Sequence, residues 1–232
     1  RIADNNLLTL GLTSRLLDPA SGAEVVRAGV AQRVRLSDQR VGLPGQTLTS
    51  ERLSDLLLYG SLSWSRQWGF DGTVQYNPKI GRSERSTLAV RYSPGEYRNL
   101  SVAYRLQRNN SEQVDIGWQW PLSVSSHASE QQEGTAGRWY SVGRLNYSWR
   151  DRKLVDALAG FEYDGGCWIG RVALERLQSS TTSATQRLML QLEFSGLSRL
   201  GSGPQQTLQQ NVTGYQSLRP VVTTPSRFSN YD

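Results

Sequence analysis

Apolar and polar side chains alternate along most of this chain. In 97–107 the apolar set is Leu100, Val102, Tyr104 and Leu106, with Asn99, Ser101, Ala103, Arg105 and Gln107 between them. In 139–149 Trp139, Leu145, Tyr147 and Trp149 alternate with Arg144, Asn146 and Ser148. In 185–195 Leu188, Leu190, Leu192 and Phe194 alternate with Arg187, Gln191 and Glu193. A two-residue period places the two sets on opposite faces of a sheet. The same pattern predicts strands over 5–16, 22–36, 55–65, 69–78, 85–93, 97–107, 112–120, 139–149, 154–164, 167–177 and 185–195. No stretch of comparable length has a 3.6-residue period. Short connections such as Gln67-Trp68-Gly69, Ser93-Pro94-Gly95-Glu96, Arg108-Asn109-Asn110-Ser111 and Asp164-Gly165-Gly166 carry the residues that tight turns demand. Sequential antiparallel pairing follows. Two connections are longer, 37–54 and 121–138. After Phe194 the period stops, so 1–196 reads as sheet and 197–232 as a polar C-terminal tail.

Two architectures accept such strands. A soluble β-sandwich buries its apolar faces in a dry core dominated by Val, Ile and Leu. A membrane barrel turns them to lipid and places aromatic girdles near strand ends. Here Trp64, Tyr76, Tyr92, Trp118, Trp120, Trp139, Trp149, Tyr163 and Trp168 lie near strand ends. About eleven strands of ~10 residues also match the span of a tilted membrane strand. Apolar residues are only 37% of the 232, yet there are 7 Trp, 10 Tyr and 22 Gly. No segment approaches the ~20 apolar residues of a membrane helix. The expected fold is all-β: an antiparallel up-and-down transmembrane β-barrel wall, part of a larger barrel. The chain opens on Arg1 within the pattern and without a signal peptide, so it reads as a piece of a longer precursor.

Charge changes the picture on the other face. The net charge is +6, and Lys79 and Lys153 are the only lysines. Set against the apolar face are Arg27, Arg33, Arg35, Arg91, Arg105, Arg144 and Arg171, with Asp71, Asp115, Glu175 and Glu193. A positive, wet lumen attracts anionic solutes or lipid headgroups. Cross-strand ion pairs are the plainer reading of the same residues. Catalysis has little support: His127 is the only histidine, it sits in the polar loop Ser125-Ser126-His127-Ala128, and no nucleophile elbow, metalloprotease or phosphate-loop motif is present. No enzyme activity, metal or cofactor is expected. The single cysteine, Cys167, is either an inert small residue or a partner for a cysteine outside this chain.

Several stretches together resemble the C-terminal half of the LPS-assembly protein LptD family, also called organic solvent tolerance protein OstA. Arg1-Ile-Ala-Asp-Asn-Asn followed by Gly11-Leu-Thr-Ser-Arg is similar to the family's opening, R-x-x-D-x-N … G-x-T-S-R. Trp64-Ser-Arg-Gln-Trp68-Gly with Val74-Gln-Tyr76-Asn77 resembles its next turn and strand end. Gly160-Phe-Glu-Tyr163-Asp-Gly-Gly-Cys167-Trp168, then Arg171 and Glu175-Arg176, is the most specific match. Leu190-Gln-Leu-Glu-Phe-Ser-Gly196-Leu197 resembles the last strand, and Gly214-Tyr215-Gln216 a tail element. Gly166 stands where the family commonly has the first of two adjacent cysteines.

The resemblance implies a barrel of the bacterial outer membrane that delivers lipopolysaccharide to the outer leaflet. The lipid would pass through the lumen, where the seven arginines are path candidates. It would leave by a lateral gate whose last strand carries Arg187, Leu188, Leu190, Leu192 and Phe194. Implied partners are lipopolysaccharide, a plug lipoprotein (LptE), a periplasmic lipopolysaccharide-transport bridge reached through an N-terminal domain, and the barrel-assembly machinery, with no nucleic acid. Cys167 would form a disulfide to that N-terminal domain. With the last strand running toward the periplasm, the Cys167 turn and loop 121–138 fall on the periplasmic side. Loops 37–54, 79–84, 108–111 and 178–184 fall outside. Two other functions fit parts of the pattern: an anion-selective porin, and a soluble sandwich module binding an acidic glycan.

Overall fold

Each stretch with a two-residue period is a strand in the computed structural model, which describes residues 6–37, 52–122, 137–178, 183–194 and 199–219. In chain order these are β1 (Leu7–Leu17), β2 (Glu24–Arg35), β3 (Leu56–Ser63), β4 (Trp68–Asn77), β5 (Arg82–Gly95), β6 (Arg98–Gln107), β7 (Ser111–Pro121), β8 (Arg138–Ser148), β9 (Lys153–Asp164), β10 (Trp168–Gln178) and β11 (Ala184–Phe194). Every strand pairs antiparallel with the next, in one up-and-down sheet. The sheet does not close on itself: β1 has a partner on one side only, β2. The strand β5 runs past its expected 85–93 at both ends. Pro94 cannot donate to a ladder, and a register shift between Tyr92 and Gly95 absorbs it.

Register keeps the faces separate across the whole sheet. Val90, Val102, Ile116, Leu145 and Ala157 follow one another from strand to strand on the apolar face. That face has no covering layer among the described residues: Leu12 is 72% and Leu188 62% exposed. An uncovered apolar face of this extent suits lipid, not water. Aromatic rings gather on it near one rim. Trp68 lies 4.4 Å from Tyr92, and Tyr163 lies 4.8 Å from Trp139 and 5.0 Å from Trp168, centroid to centroid. The turn holding Cys167 belongs to that rim, and the turns 78–81, 108–110 and 149–152 belong to the opposite one. No second sheet faces the first among the described residues, as a sandwich would require. Among the described residues no helix is long and apolar enough to cross a membrane.

The stretch after Phe194, aperiodic in sequence, is structured over part of its length. A three-residue strand, β12 (Arg199–Gly201), pairs with Gln191, Leu192 and Glu193 of β11. A short helix, α1 (Pro204–Asn211), follows with proline in its first turn, where the missing N–H has no consequence. From there to Arg219 the chain lies on the face opposite the apolar one. Leu208 and Val212 bury Val142, Leu158, Ala173 and Met189, and Leu218 packs with Tyr140 and Ile169. These six wall residues are apolar positions on the face that carries the arginines. Fully burying side chains such as Leu208 and Val212 contributes roughly 1.5–3 kcal/mol each.

Candidate functional site

All seven arginines occupy the face turned away from the apolar one. Arg27 pairs with Ser61, and the same row runs through Asp71, Ala89, Ala103, Asp115 and Asn146. Arg91 and Arg105 lie at even spacing from that row. Arg144 pairs with Gly117, and Arg171 with Glu162 and Gln191.

Their surroundings divide them. Arg171 is buried, donating from Nε to Glu162 Oε1 at 2.8 Å and from Nη1 to Glu193 Oε2 at 2.7 Å. The Tyr215 hydroxyl donates to the same Glu162 oxygen at 2.7 Å, and Arg199 of β12 lies 3.5 Å from Glu193. Burial and the nearby Glu162 carboxylate push the Tyr215 phenol above its ordinary pKa, so it remains a donor. One network thus joins β9, β10, β11, β12 and the segment after α1. Arg144 donates from Nε to both oxygens of Asp115 at 3.0 and 2.9 Å, and its Nη1 reaches Asn211 Oδ1 at 3.4 Å. Arg105 shares Asp115 at 3.5 Å but is half exposed. Arg27 pairs with Glu24 at 2.7 Å near the surface. Arg33, Arg35 and Arg91 have no ion pair among the described residues. The sequence pattern named the face correctly but could not divide paired arginines from open ones. That division depends on cross-strand register and on a segment more than forty residues away.

In β11, Leu188, Leu190, Leu192 and Phe194 pair with Leu174, Val172, Gly170 and Trp168 of β10, all on the apolar face. Arg187 points the other way, 3.7 Å from Glu175. Among the described residues, β12 pairs with Gln191, Leu192 and Glu193 at the end of β11. Gly201 makes this possible. Its φ is +117°, and a Cβ there would lie 2.1 Å from the Leu190 carbonyl oxygen. The residues 199–201 and 204–219 are functional candidates that period-two reading missed. The signal available was the apolar set Val142, Leu158, Ala173 and Met189 on a polar face.

Cys167 is an exposed free thiol in the β9–β10 turn. Gly166 before it has φ +77°, and its N–H donates to Asp164 Oδ1 at 3.0 Å. Arg219 donates to the Gly166 carbonyl, tying the tail to the same turn. His127 and most of loops 37–54 and 121–138 lie outside the described residues. No group of His, Cys, Asp and Glu with metal-binding proximity occurs among the described residues.

Comparison with known proteins gives this wall a family. The model of the family "LptD: LPS transport system D" matches residues 1–150. Relatives named LPS-assembly protein LptD match the whole chain in Paracidovorax citrulli (61% identity) and Acidovorax sp. strain JS42 (60%). A more distant one, from Aromatoleum aromaticum, is 38% identical over 96% of the chain. The chain spans 29%, 30% and 27% of these relatives' lengths. With a family model matching well over half its residues, the chain belongs to the LptD family.

Proposed function

We propose that this chain is part of an outer-membrane translocon that assembles lipopolysaccharide into the outer leaflet by non-covalent lipid export. The observation that carries this reading is the segregation of faces: every candidate arginine lies on one side of a wall whose other side is apolar and uncovered. An anionic sugar-phosphate headgroup is favoured on the arginine face, and acyl chains at membrane depth. Arg27, Arg33, Arg35, Arg91 and Arg105, which lie outside the region the tail covers, form the lipid path. Arg144 and Arg171 serve instead as structural ion partners beneath the tail. β11 is one side of the lateral gate, the strand that parts from the facing one. Cys167, exposed on the aromatic rim, bonds to a cysteine of the N-terminal domain in an oxidising compartment. The plug lipoprotein LptE, the periplasmic transport bridge and the barrel-assembly machinery complete the partners.

Photo-crosslinking in full-length protein in its membrane tests the path. A photoreactive residue at position 91 or 105 is expected to yield lipopolysaccharide adducts, and one at position 173 beneath the tail none. Absence of adducts at 91 and 105, with adducts elsewhere in the same barrel, would move the path away from this wall. High steady conductance of the complete protein would favour an anion channel instead. For the cysteine, Cys167→Ser is expected to change the non-reducing electrophoretic mobility of the full-length protein. An unchanged pattern removes Cys167 from the disulfide.

A further inference from the structure

At the rim opposite Cys167, the end of β2 folds against residues 52–54. The Val34–Leu53 bridge holds them together, with Arg35 N–H donating to the Arg52 carbonyl at 2.6 Å and Ser54 N–H to the Arg33 carbonyl at 2.9 Å. The Arg33 N–H donates in turn to Ser54 Oγ at 3.0 Å. This clasp forms a recess of about 460 Å³ on the arginine face, with Arg33, Arg35 and Arg52 on its walls. Leu7, Leu53 and Leu57 supply its apolar surface. Among the described residues the one carboxylate lining it, Asp55, already accepts from Gln75 Nε2 at 2.6 Å. None of the three arginines has an ion pair among the described residues. The Nη1 of Arg35 is buried with no acceptor among them. A buried charged donor without an acceptor is unfavourable, and the described residues supply none to it.

We infer that this recess is a binding site for a phosphomonoester on a saccharide. Such a group brings three acceptor oxygens and close to two negative charges. Planar guanidinium forks meet phosphate oxygens in pairs, and three arginines match the charge. The leucines accommodate the less polar face of a sugar ring. Free phosphate presents the same chemistry, but leaves that apolar surface unused. The inference rests on the export reading only for the source of the ligand, a lipid headgroup arriving at the rim away from Cys167. The anion site itself stands on the recess alone.

Two measurements on the full-length protein test it. The first places a photo-crosslinking residue at position 57, in the recess wall, and compares wild type with R33Q/R35Q/R52Q. The lipopolysaccharide adduct at 57 is expected to fall at least about tenfold, because charge-assisted hydrogen bonds are lost. The adduct from position 91 in the same triple variant is expected to persist, which shows the barrel folded and loaded. The same fall at 57 is expected in cells whose lipopolysaccharide headgroup lacks phosphate. An undiminished adduct at 57 in the triple variant overturns the site. The second measurement is protection of Arg33, Arg35 and Arg52 from phenylglyoxal by inorganic phosphate, which is expected in the purified protein. Phosphate protection with adducts at 91 but none at 57 assigns the recess to free phosphate and overturns the headgroup as occupant. Phosphate protection with adducts at neither position overturns the export reading and leaves the anion site standing. No protection and no adduct at 57 overturns both parts of the inference.

Discussion

Arg171 and Arg33 share a face and have opposite surroundings. Arg171 is enclosed by Glu162, Glu193 and the segment carrying Tyr215, whereas Arg33 lines an open recess. Removing one partner of a buried ion pair leaves the other charge uncompensated, at a cost of about 3–5 kcal/mol. Arg171→Met should therefore lower the stability of the full-length protein in detergent by about that much in denaturant unfolding. Arg91→Met, on an exposed site, should stay within roughly 0.5 kcal/mol. Equal effects would mean that the Arg171 network contributes nothing beyond surface charge. Side, sign and face of each arginine were legible in the sequence because period two is a local property. Pairing was not, because Glu162 reaches Arg171 only through the register of β9 on β10.

The strands were legible as elements because each spans enough residues for alternation to show. The helix α1 was not: its eight residues, four of them glutamine, offer Leu208 as their only large apolar side chain. Nor was β12, whose three residues cannot display a period. The place of β12 depends on Gly201, so Gly201→Val should detach it from β11. Hydrogen exchange is then expected to quicken at Leu190, whose N–H donates to Ser202 Oγ at 3.1 Å, and at Ser202, while β9 and β10 keep their protection. Unchanged exchange at both would show that β12 does not need this glycine. The two faces of β6 offer a second check at this scale. Val102→Arg, on the apolar face, should cost about 2–4 kcal/mol if that face lies at the bilayer midplane. Ala103→Arg, one residue on, should cost much less. Folding stability in bilayers of defined thickness distinguishes them, and equal costs would contradict a lipid-facing row.

The whole molecule is asymmetric between its rims. At the Cys167 rim the tail covers the arginine face, bonding Gln119 Nε2 to the Gln216 carbonyl at 2.8 Å and Arg219 to the Cys167 turn. At the opposite rim no described residue covers the arginine recess. Leu208 is fully buried at the centre of the covered region, so Leu208→Asp should release the tail. A cysteine placed at the fully buried Ala173 is then expected to become reactive to a water-soluble maleimide, having been inert beneath the intact tail. Protection that survives Leu208→Asp would mean that other contacts hold the tail in place.

The covered region also constrains the order in which the barrel is made. The Asn99 side chain donates to the Thr213 carbonyl at 2.5 Å, and the Tyr97 N–H donates to Gln216, partners separated by 114 and 119 positions. Such distant pairings are late events in folding. Once neighbouring strands seal a cylinder, a segment left on the lipid side cannot cross the wall to reach its lumenal seat. Residues 199–219 follow β11 from the Cys167 rim, so after closure their way to that seat is through the open end of the cylinder at that rim.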